Sequence, residues 1–165
     1  MRVLLDPGGA SEGLDVRSAL GGLLVQERDA DADLRGAMEV VCGSPTEAEW
    51  ADLLFAWTVC KHVTSNAIVL VRGLATIGIG AGQMSRVDAV RIALEKAREH
   101  GHDVAGAVLA SDAFFPFADG AQLALEAGVA AIVQPGGSKR DDDVVEAVRS
   151  AGAAMVFTGR RHFRH

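Results

Sequence analysis

The chain has 165 residues, 49% of them hydrophobic and 23% charged, and a formal net charge of -6. That length can bury a full core in one domain. The acidic balance argues against nucleic acid as the main partner, and no apolar run reaches the ~18 residues that a membrane-spanning helix needs. Cys42 and Cys60 lack metal-ligand spacing and fit a reducing compartment, and the start Met1-Arg2-Val3-Leu4-Leu5-Asp6 turns polar too soon for a signal peptide, so a cytoplasmic location is expected.

In chain order, Arg2 to Leu5 reads as a strand and Asp6 to Leu14 as a glycine-rich loop with a strong turn at Pro7-Gly8-Gly9. Residues 21–27 read as a short strand, 28–34 as a charged loop and 37–42 as another strand. The segment 1–43 as a whole is expected to be irregular. Ser44-Pro45-Thr46-Glu47 predicts a helix start, with Ser44 as cap, Pro45 at the first helical position and Glu47 completing a capping box. That helix runs to about Lys61, with Trp50, Leu53, Leu54, Trp57 and Cys60 on one apolar stripe. The tryptophans fit core or a subunit interface better than ligand contacts.

Lys61 and His62 sit side by side at the helix end. They can bind an anion or move a proton, or they can simply complement the helix dipole. A strand over 67–71 follows, joined through Gly73-Leu74-Ala75 to a second over 76–79 as an antiparallel hairpin. Next comes Gly78-Ile79-Gly80-Ala81-Gly82-Gln83-Met84-Ser85-Arg86, with Ser85 capping a helix whose apolar positions are Val87, Val90, Leu94 and Ala97 and which Gly101 closes. A glycine-rich loop entering a helix suits an anion, with Gln83 and Arg86 in reach, although it is neither a P-loop nor a dinucleotide fingerprint.

Residues 105–110 read as a buried strand. Ser111-Asp112-Ala113-Phe114-Phe115-Pro116-Phe117-Ala118-Asp119 follows and holds three of the six phenylalanines. It is either an aromatic platform for a flat ligand, with Asp112 and Asp119 as polar anchors, or a hydrophobic plug under a loop. Asp119 is expected to cap the helix that ends at Gly128. A strand over 129–133 ends in Gln134-Pro135-Gly136-Gly137-Ser138, a helix over 142–152 is capped by Ser138 or Asp141, and a strand over 154–158 leads into a basic tail expected to dock at the same edge as the other loops.

Strand–helix alternation over 105–158 implies parallel pairing with right-handed crossovers. With the hairpin before it, the expected fold class is α/β, a three-layer α/β/α sandwich with a mixed sheet. The loops 61–66, 80–86, 114–119 and 135–138 then cluster, and their aromatic, glycine-rich and arginine content suits a small, flat, anionic ligand.

Five words carry a resemblance: Lys-His-Val-Thr-Ser-Asn-Ala-Ile-Val (61–69), Ile-Gly-Ile-Gly-Ala-Gly-Gln-Met-Ser-Arg (77–86), Ser-Asp-Ala-Phe-Phe-Pro-Phe (111–117), Gln-Pro-Gly-Gly-Ser (134–138) and Arg-His-Phe-Arg-His (161–165). In this order they closely resemble the C-terminal end of the bifunctional purine enzymes AICAR transformylase/IMP cyclohydrolase. Residues 1–60 match more loosely, through residues 21–26 and 53–57. The resemblance implies a single transformylase-like subdomain over 1–165, the second of two cytidine-deaminase-like repeats. It further implies formyl transfer from 10-formyltetrahydrofolate to the amine of AICAR or a related small amine. Carried over by motif, Asn66, Gln83, Arg86, Phe114 and Arg161 lie around the ribotide. Val87, Phe117, Asp119, Pro135, Gly136 and Ser138 lie toward the folate. No metal is implied, because the His/Cys-x-x-Cys set of the zinc deaminases is missing.

The family's cyclohydrolase domain and first transformylase subdomain have no counterpart here. Lys61 and His62 therefore echo the family's catalytic Lys-His pair from the repeated position, and together with Asn66 they become catalytic candidates only in a rebuilt site. Three readings follow: a transformylase subunit that needs a complementary chain, a free-standing homodimer turned to another condensation or cyclisation of an aromatic amine, or a non-catalytic nucleotide- or folate-binding module. Neither nucleic acid nor a membrane is an expected partner. Met1 falls inside a family domain with no visible linker or tag, which is the expectation for a natural short protein.

Overall fold

The structure is a computed structural model that describes residues 14–27, 29, 35–162 and 164. The strand expected over 2–5 and most of the expected glycine-rich loop lie outside the described residues. The chain divides into two compact units, residues 1–32 and 33–165.

In the first unit, β1 (Leu14–Ala19) and β2 (Gly22–Glu27) form an antiparallel hairpin, paired from Leu14 with Glu27 to Ala19 with Gly22. The turn uses Gly21 at φ 74°, a left-handed position that glycine takes without a Cβ clash. The segment expected to be irregular thus contains β1, in which Leu14 and Val16 alternate with Asp15 and Arg17 before Ser18 and Ala19 reverse the pattern.

The second unit begins with a 3-10 turn, Arg35–Ala37, and contains β3 (Glu39–Cys42), α1 (Glu47–Cys60), β4 (Ile68–Arg72), β5 (Ala75–Gly80), α2 (Arg86–Glu99), β6 (Val108–Ser111), α3 (Ala118–Glu126), β7 (Ala131–Gln134), α4 (Asp141–Ser150) and β8 (Ala154–Phe157). Its sheet runs in the order β3-β8-β7-β6-β4-β5. Strands β6, β7 and β8 are parallel, while β4–β5, β4–β6 and β3–β8 are antiparallel. The fold is thus the expected α/β sandwich with a mixed sheet. Along β4, Ile68 and Leu70 pack with α2, α3 and α4, whereas Val69 and Val71 pack with α1. This alternation of fully apolar strand residues into two cores defines a central sheet covered on both faces.

Helix α1 is capped by Thr46, not Ser44. The Thr46 hydroxyl accepts from Glu49 N at 3.2 Å and the Glu49 carboxylate accepts from Thr46 N at 2.7 Å. Glu47, expected in that box, is instead held bidentately by Arg35 at 2.7 and 2.9 Å. Asp52, on the same helix, is buried beneath the β4–β5 turn and accepts from Gly73 N at 2.8 Å and Leu74 N at 2.6 Å. Leu74 takes the left-handed region at φ 58°, unusual for a side-chain-bearing residue, and the carboxylate offsets that cost with two charge-assisted bonds.

Two further cap expectations change. Phe117 occupies the N-cap of α3, which puts Asp119 in its first turn, where its charge favours the helix N-terminus. At α4, Asp141 is the first helical residue and its carboxylate accepts from Gly137 N and Ser138 N at 2.7 and 3.1 Å, so it ties down the preceding loop. Strands β6 and β7 begin two to three residues later than expected. Ala105-Gly106 forms a turn in which Asp103 accepts from Ala105 N and Gly106 stands at φ 76°.

Gly78 lies in β5 as the strand expected over 76–79 requires, whereas Gly80, read from sequence as the start of an anion-binding loop, ends the same strand, and both serve packing. A Cβ at Gly78 would sit 2.1 Å from the Ala93 carbonyl oxygen, and one at Gly80 would sit 1.9 Å from that of Ala89. Their bare backbone lets α2 approach the sheet. Gly80→Ala is expected to destabilise the fold by about 3 kcal/mol or more, because helix and strand must separate. Gly73→Ala, at φ 61° in open space, should cost only about 1 kcal/mol. Denaturant midpoints of the two variants check the difference.

Candidate functional site

Antiparallel pairing of β4 with β6 sets Ile68 opposite Ser111, and pairing with β5 sets Ile68 opposite Gly80. The loop entering β4, the loop leaving β5 and the turn leaving β6 therefore meet at one end of the sheet. The parallel strands β7 and β8 end there too. At this end lies a cleft of about 470 Å³ lined by Asn66, Met84–Val87, Ala113–Phe117, Asp119 and Arg161.

Its floor is a buried polar network. Asp112 has no exposed surface. Its Oδ1 accepts from Arg86 Nη1 at 2.5 Å and its Oδ2 accepts from the Ser65 hydroxyl. Arg86 Nη1 also donates to Ser111 Oγ at 2.8 Å, and Arg86 Nη2 donates to Asn66 Oδ1 at 2.8 Å. Asn66 Nδ2 donates to the Gln83 carbonyl at 2.8 Å, and Gly82 N donates to the Thr64 carbonyl at 2.7 Å. Asp112, read from sequence as an anchor for a ligand, is thus turned inward and fully engaged. Arg86 borders the cleft but is itself only 8% exposed, and its charge is matched by Asp112.

The phenylalanine turn divides between its two expected roles. Phe115 is the plug: it is 1% exposed and packs so closely on α3 that a Cβ at Gly120 would lie 2.9 Å from its ring. Phe114 is half-buried and lines the cleft, and Phe117 lines it while remaining 53% exposed. The Arg140 guanidinium lies 5.3 Å from the centre of the Phe117 ring, a cation–π distance. Pro116 stiffens the turn between them.

Sequence reasoning missed Gln134. It is fully buried at the end of β7, and its Oε1 accepts from Phe115 N at 2.8 Å while its Nε2 donates to Met155 Sδ at 3.6 Å. A lone amide closing an apolar strand is the signal that could have found it.

Of the predicted site residues, Asn66, Arg86, Val87, Phe114, Phe117, Asp119 and Arg161 share the cleft. Lys61, His62, Gln83, Pro135, Gly136 and Ser138 are not among its lining residues. Gln83 joins through its backbone, as the acceptor for Asn66, and its side chain donates to the Ala81 carbonyl. Gly136, at φ 73°, lies where a Cβ would be 2.6 Å from the Phe157 ring, so its loop packs tightly on β8. The basic tail docks as expected. Ser65 N donates to the Arg164 carbonyl at 2.8 Å, His162 N donates to the Asp112 carbonyl at 3.1 Å, and the buried His162 ring lies 4.8 Å from that of Trp57. Cys60, the last residue of α1, is buried against the Ala67 carbonyl and β6, and burial pushes its thiol pKa strongly upward, which disfavours the thiolate.

The protein is thus a mixed α/β sandwich with an aromatic, arginine-bordered cleft across the loop end of its sheet. Residues 1–96 match the family model described as AICARFT/IMPCHase bienzyme, and the chain belongs to that family. It is 55% identical over 167 residues to the bifunctional purine biosynthesis protein PurH of Cereibacter sphaeroides, an alignment covering 96% of this chain and 32% of the relative. The PurH of Rhodospirillum rubrum is 58% identical over 161 residues, covering 93% of this chain and 31% of the relative. The chain therefore spans about a third of the length of these relatives. Solved structures with some likeness are a Thermotoga maritima diaminohydroxyphosphoribosylaminopyrimidine deaminase/reductase and the dCMP deaminase of cyanophage S-TIM5. The first is 23% identical with a TM-score of 0.43, covering 67% of this chain and 35% of that one. The second is 15% identical with a TM-score of 0.44, covering 68% of this chain and 98% of that one.

Phe115→Ala should cost about 3–5 kcal/mol of stability, as for other buried aromatics. Phe114→Ala should cost about 1 kcal/mol, since its ring is only half-buried. Thermal or denaturant melts of the pair distinguish plug from wall.

Proposed function

We propose that the chain supplies one half of an AICAR transformylase site and so takes part in purine biosynthesis. The carrying observation is that residues from four of the five resemblance words border a single cleft. In it, Phe114 packs on the heterocycle of the AICAR ribotide and Arg161 meets its phosphate. Arginine suits that role because its planar fork matches phosphate oxygens. The Asn66 amide supplies a hydrogen-bond donor, the group that acyl transfer needs where charge gathers on the carbonyl oxygen.

The other side of the cleft fits a folate. Val87, Pro116 and Phe117 offer an apolar wall to a flat ring, and the exposed Asp119 carboxylate suits the donors of an aminopyrimidine edge. The loop of Pro135, Gly136 and Ser138 backs this side through Arg140 and Phe117. When bound, 10-formyltetrahydrofolate would supply the formyl group.

The chain's own catalytic provision is partial. Lys61 and His62 lie outside the cleft lining, so the group that deprotonates the weakly nucleophilic amine comes from a complementary transformylase chain or a second copy. That favours the half-site reading over a self-sufficient enzyme with a new reaction.

Calorimetry with the AICAR ribotide, followed by a formyl-transfer assay with 10-formyltetrahydrofolate, tests the proposal. Binding without turnover is expected for the chain alone, and turnover is expected once a complementary chain is added. Arg161→Ala should weaken ribotide binding by about tenfold, roughly 1.4 kcal/mol, while leaving the riboside nearly unaffected. Equal losses for both ligands would remove the phosphate assignment, and absence of ribotide binding by the unaltered chain would remove the function.

A further inference from the structure

We infer that Asp112, acting through Arg86, is a positioning residue that locks the Asn66 side chain as a hydrogen-bond donor in the cleft; the inference rests on reading the cleft as an acyl-transfer site. One buried carboxylate controls two consecutive residues. Its Oδ2 holds the Ser65 hydroxyl directly, and its Oδ1 holds the Arg86 guanidinium, whose other nitrogen reaches Asn66.

The chemistry of the guanidinium decides the orientation of the amide. Arginine carries only donors. The Asn66 atom 2.8 Å from Arg86 Nη2 is therefore the carbonyl oxygen, and the NH2 group faces the opposite way. One of its hydrogens goes to the Gln83 carbonyl, and the second remains available as a donor. The Gln83 carbonyl favours the same orientation, so a residue at position 86 without the guanidinium fork loosens the amide's hold on its donor-outward arrangement rather than reversing it. A buried ion pair contributes little net stability compared with packed apolar residues, so geometry is the stronger reason for having one here. Because Asp112 matches the charge of Arg86, the pair sets direction without adding net positive charge to this end of the cleft.

Asn66 is the only asparagine in the chain, so side-chain 15N-asparagine labelling yields a single NH2 group by NMR. In the unaltered chain the hydrogen of this group that is bonded to the Gln83 carbonyl, the one followed throughout, is expected to exchange well below the rate of free asparagine. In Asp112→Asn and in Arg86→Lys, which keeps the charge but loses the fork, exchange should be at least about tenfold faster, while backbone amides of β4 and β6 keep their protection. Unchanged Asn66 exchange in either folded variant overturns the inference. So does exchange as fast as free asparagine in the unaltered chain, a measurement that needs no variant to fold. Titrating the ribotide into the same labelled sample reads the functional proposal separately. A shift of the NH2 signal supports it, and no shift removes it while the exchange result still decides the positioning role.

Discussion

The loop end of this sheet depends on one fully buried carboxylate. Asp112 follows β6, the strand at which the sheet changes from parallel to antiparallel pairing, so the chain segments around it run in both directions. Its side chain fastens the entry to β4 and the start of α2, and its backbone carbonyl fastens the tail. Leaving a buried guanidinium without its counter-charge typically costs about 3–5 kcal/mol, which is why such a pair, once present, holds its neighbours in one arrangement. The cleft wall is thus assembled from segments far apart in sequence, with this charge pair at the centre of the hydrogen bonds that join them.

The aromatic turn shows how one short word can serve two ends. Its buried ring, Phe115, is anchored at both extremities, by Gln134 at its backbone and by the bare Gly120 under its side chain. That anchoring holds the turn from which Phe114 and Phe117 line the cleft. Rigidity on one side of the turn thereby becomes pre-organisation on the other, and pre-organisation lowers the ordering cost of binding a flat ligand.

Much of this was legible in the chain. Strand–helix alternation after residue 105 and the β4–β5 hairpin were sufficient for the mixed sheet, because long apolar runs and turn glycines are local signals. Helix starts were placed less well. Ser44 and Thr46 each precede a glutamate by three residues, and only the distant Arg35, which takes Glu47, breaks the tie. The glycines of β5 resembled a ligand loop because sequence does not say whether a missing Cβ makes room for an anion or for a helix. Asp112 looked like a ligand anchor for a related reason, since its partners Ser65 and Arg86 lie 47 and 26 residues away. Strand β1 is hard to read from the sequence because its apolar–polar alternation lasts only from Leu14 to Arg17 and its partner strand supplies most of the hairpin's apolar residues.

The docked tail has a practical consequence for handling the protein. The carbonyl that Ser65 uses belongs to Arg164, and the Arg164 guanidinium donates to the His62 carbonyl at 3.2 Å. An affinity tag fused after residue 165 would begin two residues beyond Arg164, whose carbonyl contacts the dipeptide that carries Asn66. Purification handles and fluorescent fusions therefore belong at the other end of the chain, and a carboxy-terminal fusion would itself act as a perturbation of the cleft.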